Sequence, residues 1–160
     1  MKYWNIFGCA IAGSFISMSL VLVISTLRER KPQILPVKGV LKIEKERILL
    51  EYAETIDQKI KGLSYRKPLL SNQGMLFVND KPTMVSLWML GVNQNLDIFF
   101  LDKSKKITKA VLSATPCYFK KFCTIYTGEA NYILELPSTN KNTQFNVGET
   151  LDIEPINIQR

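Results

Sequence analysis

The sequence predicts a mainly β protein: a compact antiparallel barrel or sandwich with one or two short helices, preceded by an N-terminal transmembrane helix. Three observations carry this expectation. From Arg47 onward, short apolar runs alternate with turn-forming residues, most densely between Gly62 and Asp102. Helical periodicity is scarce, which argues against the strand–helix alternation of a parallel α/β sheet. Finally, Trp4 to Leu27 carries no charged residue.

That first stretch would be helical over about 36 Å at about 1.5 Å per residue, enough to cross a hydrocarbon core. The organisation read from the chain is a short flank at 1–3, a transmembrane anchor or uncleaved signal at 4–27, a juxtamembrane linker at 28–39 and a single β domain at 40–157. Lys2 supplies the basic start of a signal, and Ser17 and Ser19 are small residues at suitable spacing. The run LVLVI continues past them, which favours an anchor that is kept. Arg28, Arg30 and Lys31 directly after the segment tilt the domain toward the cytoplasm. The cysteines discussed below tilt it toward an extracytoplasmic, periplasmic or cell-surface location, which is the expectation taken.

The formal charge of +7 is concentrated partly in that juxtamembrane cluster. No basic stripe with interleaved aromatics follows, so the expected partner is the membrane, through residues 4–27, and not nucleic acid. The chain has no histidine. That removes Ser-His-Asp and Cys-His nucleophile systems and every histidine-containing metal site. No phosphate-cradling glycine loop is present, and no cofactor is expected.

Within the domain, Arg47–Ala53 reads as a strand. Thr55–Lys61 reads as a short helix, with Thr55 as N-cap and Gly62 as its stop. Gly74–Val78, Thr83–Met89, Leu96–Leu101 and Ile107–Ser113 read as strands separated by Asp80-Lys81-Pro82, Leu90-Gly91 and Asp102-Lys103-Ser104. Asn131–Leu136 is a further strand stopped by Pro137, and a polar connector leads to a last one at Thr150–Ile153.

These blocks resemble the domain of unknown function 192 family, also called uncharacterised protein family 0127. The resemblance rests on Gly62-Leu63 with Arg66, Gly74-Met75-Leu76-Phe77-Val78, Trp88-Met89 and Leu96 to Asp102. It extends through Pro116-Cys117, Cys123, Tyr126, Tyr132 to Pro137, and Val147-Gly148-Glu149. It implies a compact, mainly β domain with no general activity attached. Where the family typically carries Lys-Asn after Trp-Met, this chain has Leu90-Gly91; where it carries Pro before Leu-Asp, this chain has Asn95. A polar ligand role resting on that Lys-Asn pair would be weakened here.

Asp97 shares one face of its strand with Phe99 and Leu101. A carboxylate there needs a partner, and Arg66 is the candidate, either as an internal ion pair or as a ligand-orienting pair. Trp88 reads as core filling or as an aromatic wall, with Tyr126 lining or covering the same place. Glu135 lies in an apolar strand and is the one plausible second acid for Asp97, whereas Glu44, Glu46, Glu51, Glu54 and Asp57 read as solvated. Cys117 and Cys123 are candidates for a disulfide contributing about 2 kcal/mol, with free thiols or a redox pair as alternatives.

Three functional readings follow. The leading one is a membrane-anchored accessory or small-ligand-binding domain without enzymatic activity. Its candidate site residues are Arg66, Trp88, Asp97 and Tyr126, and its ligand is a small polar molecule or envelope component. The second is an envelope-polymer hydrolase using Asp97 with Glu135 or Arg66. The third is a structural or protein-interaction domain, whose signature would be an exposed apolar patch.

Overall fold

Val37–Ile43 (β1) and Glu46–Ala53 (β2) form a tight hairpin in which Leu41, Ile48 and Leu50 point to one face and are buried. The computed structural model describes residues 31–44, 46–138 and 145–156. Of the two units into which the chain divides, Met1–Lys31 and Pro32–Arg160, everything described beyond Lys31 belongs to the second. β1 begins inside the stretch that the sequence suggests is linker; its single glycine and flanking lysines hide the period of two.

After β2, Thr55 opens a six-residue helix, Ile56–Lys61 (α1). A complete capping box starts it: the Thr55 hydroxyl accepts from Gln58 N, and the Gln58 side chain accepts from Thr55 N. Gly62, at φ 46°, ends it. The chain then returns to start Gln73–Leu87 (β3) beside β2 in the same direction. Parallel strands need such a crossover, and α1 with the loop behind it provides one.

Leu96–Leu101 (β4) and Ile107–Ala114 (β5) form the next hairpin. Asp102 turns it by accepting from Ser104 N, Ser104 Oγ and Lys106 N. The Ser104 hydroxyl first, then these amides, hold its carboxyl below its usual range. Tyr126–Pro137 (β6) inserts between β3 and β4, and Ile153–Pro155 (β7) borders β1. The order across the sheet is β5-β4-β6-β3-β2-β1-β7.

This corrects the expected antiparallel barrel or sandwich. The sheet is mixed, with β2–β3 parallel, and it is open. A bridge between Lys106 and Thr150, flanked by backbone hydrogen bonds from Ile107 N to Glu149 O and from Leu151 N to Lys105 O, ties the segment before β7 to the start of β5, but among the described residues no ladder joins β5 to β7. Period-two patterning reports which face a residue takes. It does not report strand direction or closure, which depend on connections between distant segments.

A second difference lies in β3. The stretches 74–78 and 83–89, separated in sequence by Asp80-Lys81-Pro82, belong largely to one strand. β6 pairs with both halves, and the register shifts between Val78 and Thr83. Pro82 has no N–H to donate, so it is accommodated where the ladder is broken.

The expected transmembrane helix at 4–27 lies outside the described residues. Among the described residues no helix is long and apolar enough to cross a membrane. α1 would span about 9 Å against a core of about 30 Å. The expectations of an anchored domain, of the membrane as partner and of a membrane-anchored location therefore find no support in any described element.

Each face of the sheet carries an apolar cluster. One gathers Leu41, Leu50, Leu76, Phe99, Leu134 and Ile153, drawn from β1 through β7. The other gathers Met75, Phe77, Ile98, Phe100 and Ile133, and is covered by Leu63, Leu69, Met89 and Val92 from the connecting segments. The candidate site lies under that second covering.

Candidate functional site

A row of side chains crosses the covered face in register: Glu51 on β2, Met75 on β3, Glu135 on β6 and Ile98 on β4. Two carboxyl groups thus stand on one buried face, separated by one strand and so about 10 Å apart at Cα. They are treated in opposite ways.

Glu51 is neutralised by Arg66. Nη2 of Arg66 donates to Oε1 at 2.8 Å and Nη1 to Oε2 at 2.9 Å, a bidentate fork with both side chains largely buried. Leu35 N also donates to Oε2, at 2.8 Å. Gln33 continues the clasp by donating to the carbonyls of Gln58 and Gly62, and Asn93 donates to Arg66 O. The pair therefore staples the segment before β1 and the loop after α1 onto β2.

Glu135 has no such partner. It is 6 % exposed and makes no side-chain hydrogen bond or ion pair among the described residues. Burial alone pushes its carboxyl up to about 8. It faces a cavity of about 210 Å³. The walls come from Lys59 to Ser64 at the end of α1, from Val85 to Trp88 at the end of β3, and from Phe77, Val92 and Ile133. Most of this lining is apolar, and Lys59 and Lys61 belong to it as well. The Lys59 ammonium is held by Asn79 Oδ1 at 2.9 Å.

The four ligand-binding candidates read from the sequence are not brought together. Arg66 meets Glu51, not Asp97. Asp97 lies on the opposite face of the sheet, 1 % exposed, and accepts from Ser113 N and Ser138 Oγ at 2.8 Å each. Ser113 holds a positive φ of 53°, at the register shift of β4 and β5. Asn95 Nδ2 donates to Ser113 Oγ at 2.9 Å, which gives the Asn95 replacement a structural role. Trp88 is 39 % exposed and forms a cavity wall, while Tyr126 packs half-buried against the covered cluster.

The hydrolase reading fails on the same geometry. Asp97 pairs with Leu136 and Ile98 pairs with Glu135, so alternation turns the two carboxyls to opposite sides of the sheet. They cannot flank one bond. Leu90-Gly91 also has a steric reason: Gly91, at φ 71°, lies under the Tyr65 ring, whose Cε1 would be 2.7 Å from any Cβ added there. Tyr65 N donates to Gly91 O.

Cys117 and Cys123 are joined in a disulfide, with Cα atoms 5.3 Å apart. The loop they close contains a short 3-10 turn at Lys120–Phe122. Its base is fixed beside the cavity: Cys117 N donates to Met89 O and Gly91 N donates to Cys117 O. Lys120 Nζ sits over the Trp88 ring, 5.2 Å from its centroid.

Sequence reasoning missed the role of Glu51. The available signal was its period: Leu49, Glu51 and Ala53 share a face, and Ala53 is wholly buried. For Asp97, substitution by alanine would strip the acceptor from Ser113 N and Ser138. The expected loss is about 3 kcal/mol in urea denaturation, and Asp97→Asn, which keeps an acceptor, should lose roughly half as much.

The fold and its buried polar groups define a small open mixed-sheet domain with one helical crossover. The chain belongs to the DUF192 family, described as Uncharacterized ACR, whose model matches residues 39–153. Two crystal structures resemble it in fold. One, from Sinorhizobium meliloti, is described provisionally as a transcription regulator; it is 23% identical, with a TM-score of 0.65, and the match covers 78% of this chain and 98% of that one. The other is a protein of unknown function from Novosphingobium aromaticivorans, 23% identical, with a TM-score of 0.61 and coverage of 78% and 92%. No curated protein matches the chain at a significant level.

Proposed function

We propose that this is a protein-interaction domain whose binding element is the disulfide-closed loop Cys117–Cys123. One observation carries the reading. Tyr118, Phe119 and Phe122 are 72%, 71% and 76% exposed, side by side in a loop too short to bury them against its own domain. Ile125 extends the apolar surface. Exposed aromatic clusters of this kind are the usual anchors of interfaces.

The loop is pre-organised for this. The disulfide closes it, the 3-10 turn shapes it, and Phe119 and Phe122 hold each other edge to face with centroids 6.5 Å apart. A restrained loop loses less conformational freedom on binding. Lys120 and Lys121 lie between the aromatics. The fitting partner is therefore a protein with an apolar groove rimmed by acidic side chains.

The test is quantitative affinity isolation from the source cells with the full chain as bait. A partner recovered by the native chain should fall about 30-fold with Phe119→Ser/Phe122→Ser, the equivalent of about 2 kcal/mol. It should also weaken with added salt and with Cys117→Ser/Cys123→Ser. Leu112→Ser, on the exposed face of β5, is the control that should keep it. Equal recovery by all variants would overturn the reading.

A further inference from the structure

The Glu135 cavity belongs neither to the aromatic loop nor to the Arg66–Glu51 staple. The staple is explained by its own contacts, and the loop's aromatics are not in the cavity lining. Nothing in the fold requires a carboxyl at position 135: its neighbours in the row and along the strand are Met75, Ile98 and Ile133, and an apolar residue would pack there without a desolvation cost. A buried polar side chain with no partner, aimed into a cavity lined by an aromatic wall, is the arrangement expected of a ligand site.

The charges around the cavity select the ligand. Lys59 and Lys61 from α1 contribute to the lining, and the Lys59 ammonium rests on Asn79 at the wall, so a cationic ligand would add positive charge beside basic side chains. An anion would meet the lysines favourably but would have to desolvate against Phe77, Leu63 and Val92, next to a second acid. A neutral group that both donates and accepts meets neither penalty. A protonated carboxyl offers the complementary pair, one O–H donor and one carbonyl acceptor. At about 30 Å³ per water, the volume is that of about seven waters, room for a single ring with one polar substituent.

We propose that this cavity binds a small, neutral, ring-bearing ligand through a carboxamide-like group paired in two hydrogen bonds with the Glu135 carboxyl, its ring against Trp88. The chemistry requires Glu135 to keep its proton. The charged groups nearest the cavity are Lys59 and Lys61 in its lining and, along the row, the Glu51–Arg66 pair, whose charges compensate each other; burial is what holds the proton. Across β3 and β4 the facing residues are Met75, Phe77 and Ile98, none of them ionisable. With its titration raised to about 8 by burial, the group is protonated at neutral pH and loses its donor as the pH rises beyond that.

Benzamide is the probe, with benzylamine and benzoate as the cationic and anionic counter-probes. The readouts are calorimetric titration of the full chain and the NMR shift of the Trp88 indole N–H, assigned with Trp88→Phe. Benzamide should bind, move the Trp88 signal, and weaken at least about tenfold between about pH 6 and about pH 9.5. Glu135→Gln, which keeps a donor and an acceptor, should retain binding and lose its pH dependence. Glu135→Leu should abolish binding while leaving the folded spectrum intact. No binding by benzamide, equal binding by Glu135→Leu, or tighter binding by either counter-probe would each overturn the proposal. None of these outcomes bears on the aromatic loop, because Phe119 and Phe122 are not part of the cavity lining.

Discussion

Glu135→Leu should raise the stability of the domain at pH 8 and abolish a decline that the native chain shows between about pH 4.5 and about pH 8. The carboxyl titrates at 4.5 when free and at about 8 in the fold, with burial as the cause. Between those values the folded state holds a proton that the unfolded state has released. The contribution of this group to stability is therefore greatest below about pH 4.5, falls as the pH rises, and levels off above about 8. At about 1.4 kcal/mol per unit, the decline is at most about 5 kcal/mol. Leucine removes the ionisable group and places apolar surface against Met75, Phe77 and Ile133. Urea midpoints across this range test it directly. A native profile that is flat there, or a leucine variant less stable than the native chain at pH 8, would mean that the carboxyl is satisfied within the fold.

The opposite behaviour is expected of the other carboxyl in the row. Arg66→Met should cost about 3–5 kcal/mol, because it leaves Glu51 buried with Leu35 N as its one remaining partner. Glu51→Leu should be comparably harmful, since it strands a buried guanidinium. The double variant Glu51→Leu/Arg66→Met should recover most of the loss, because well-packed apolar residues replace a buried pair at little net cost. A double-mutant cycle from denaturant melts measures the coupling. Additive losses would show that the fork contributes nothing beyond its two side chains. The two experiments together separate a carboxyl that the fold uses from one that it merely tolerates.

Local signals in the sequence proved reliable where the information is local. Thr55 and Gly62 delimit α1 because capping depends on a few consecutive residues. LDIFFL is β4 with Asp97 on the face of Phe99 and Leu101, because a period of two is a property of the strand itself. Asp102 closes its turn for the same reason. The family could be read from ordered motifs between Gly62 and Gly148, and the chain is a member.

The candidate site was much less legible. Arg66 was recognisable as a residue needing a carboxylate, but any of several sequence-distant acids among the chain's 14 could have supplied it. Only the parallel placement of β3 beside β2 puts Glu51 within its reach. Asp97 was expected to be its partner and instead fastens the end of β5. Trp88 and Glu135 meet across one cavity because β3 runs on past Pro82 and stays paired with β6. A run of Asp-Lys-Pro conceals that continuity.

The chain by itself thus determined the faces of β4, its short helix, the Asp102 turn, its family and its lack of histidine chemistry. Tertiary structure alone decided that the sheet is mixed and open, which carboxylate Arg66 neutralises, and that Glu135 faces a cavity unpaired. It also decided that the sulfurs of Cys117 and Cys123 meet. The division has one physical cause. Face, cap and turn are set by neighbours along the chain, whereas pairing, burial and charge compensation depend on which distant segments come to lie side by side.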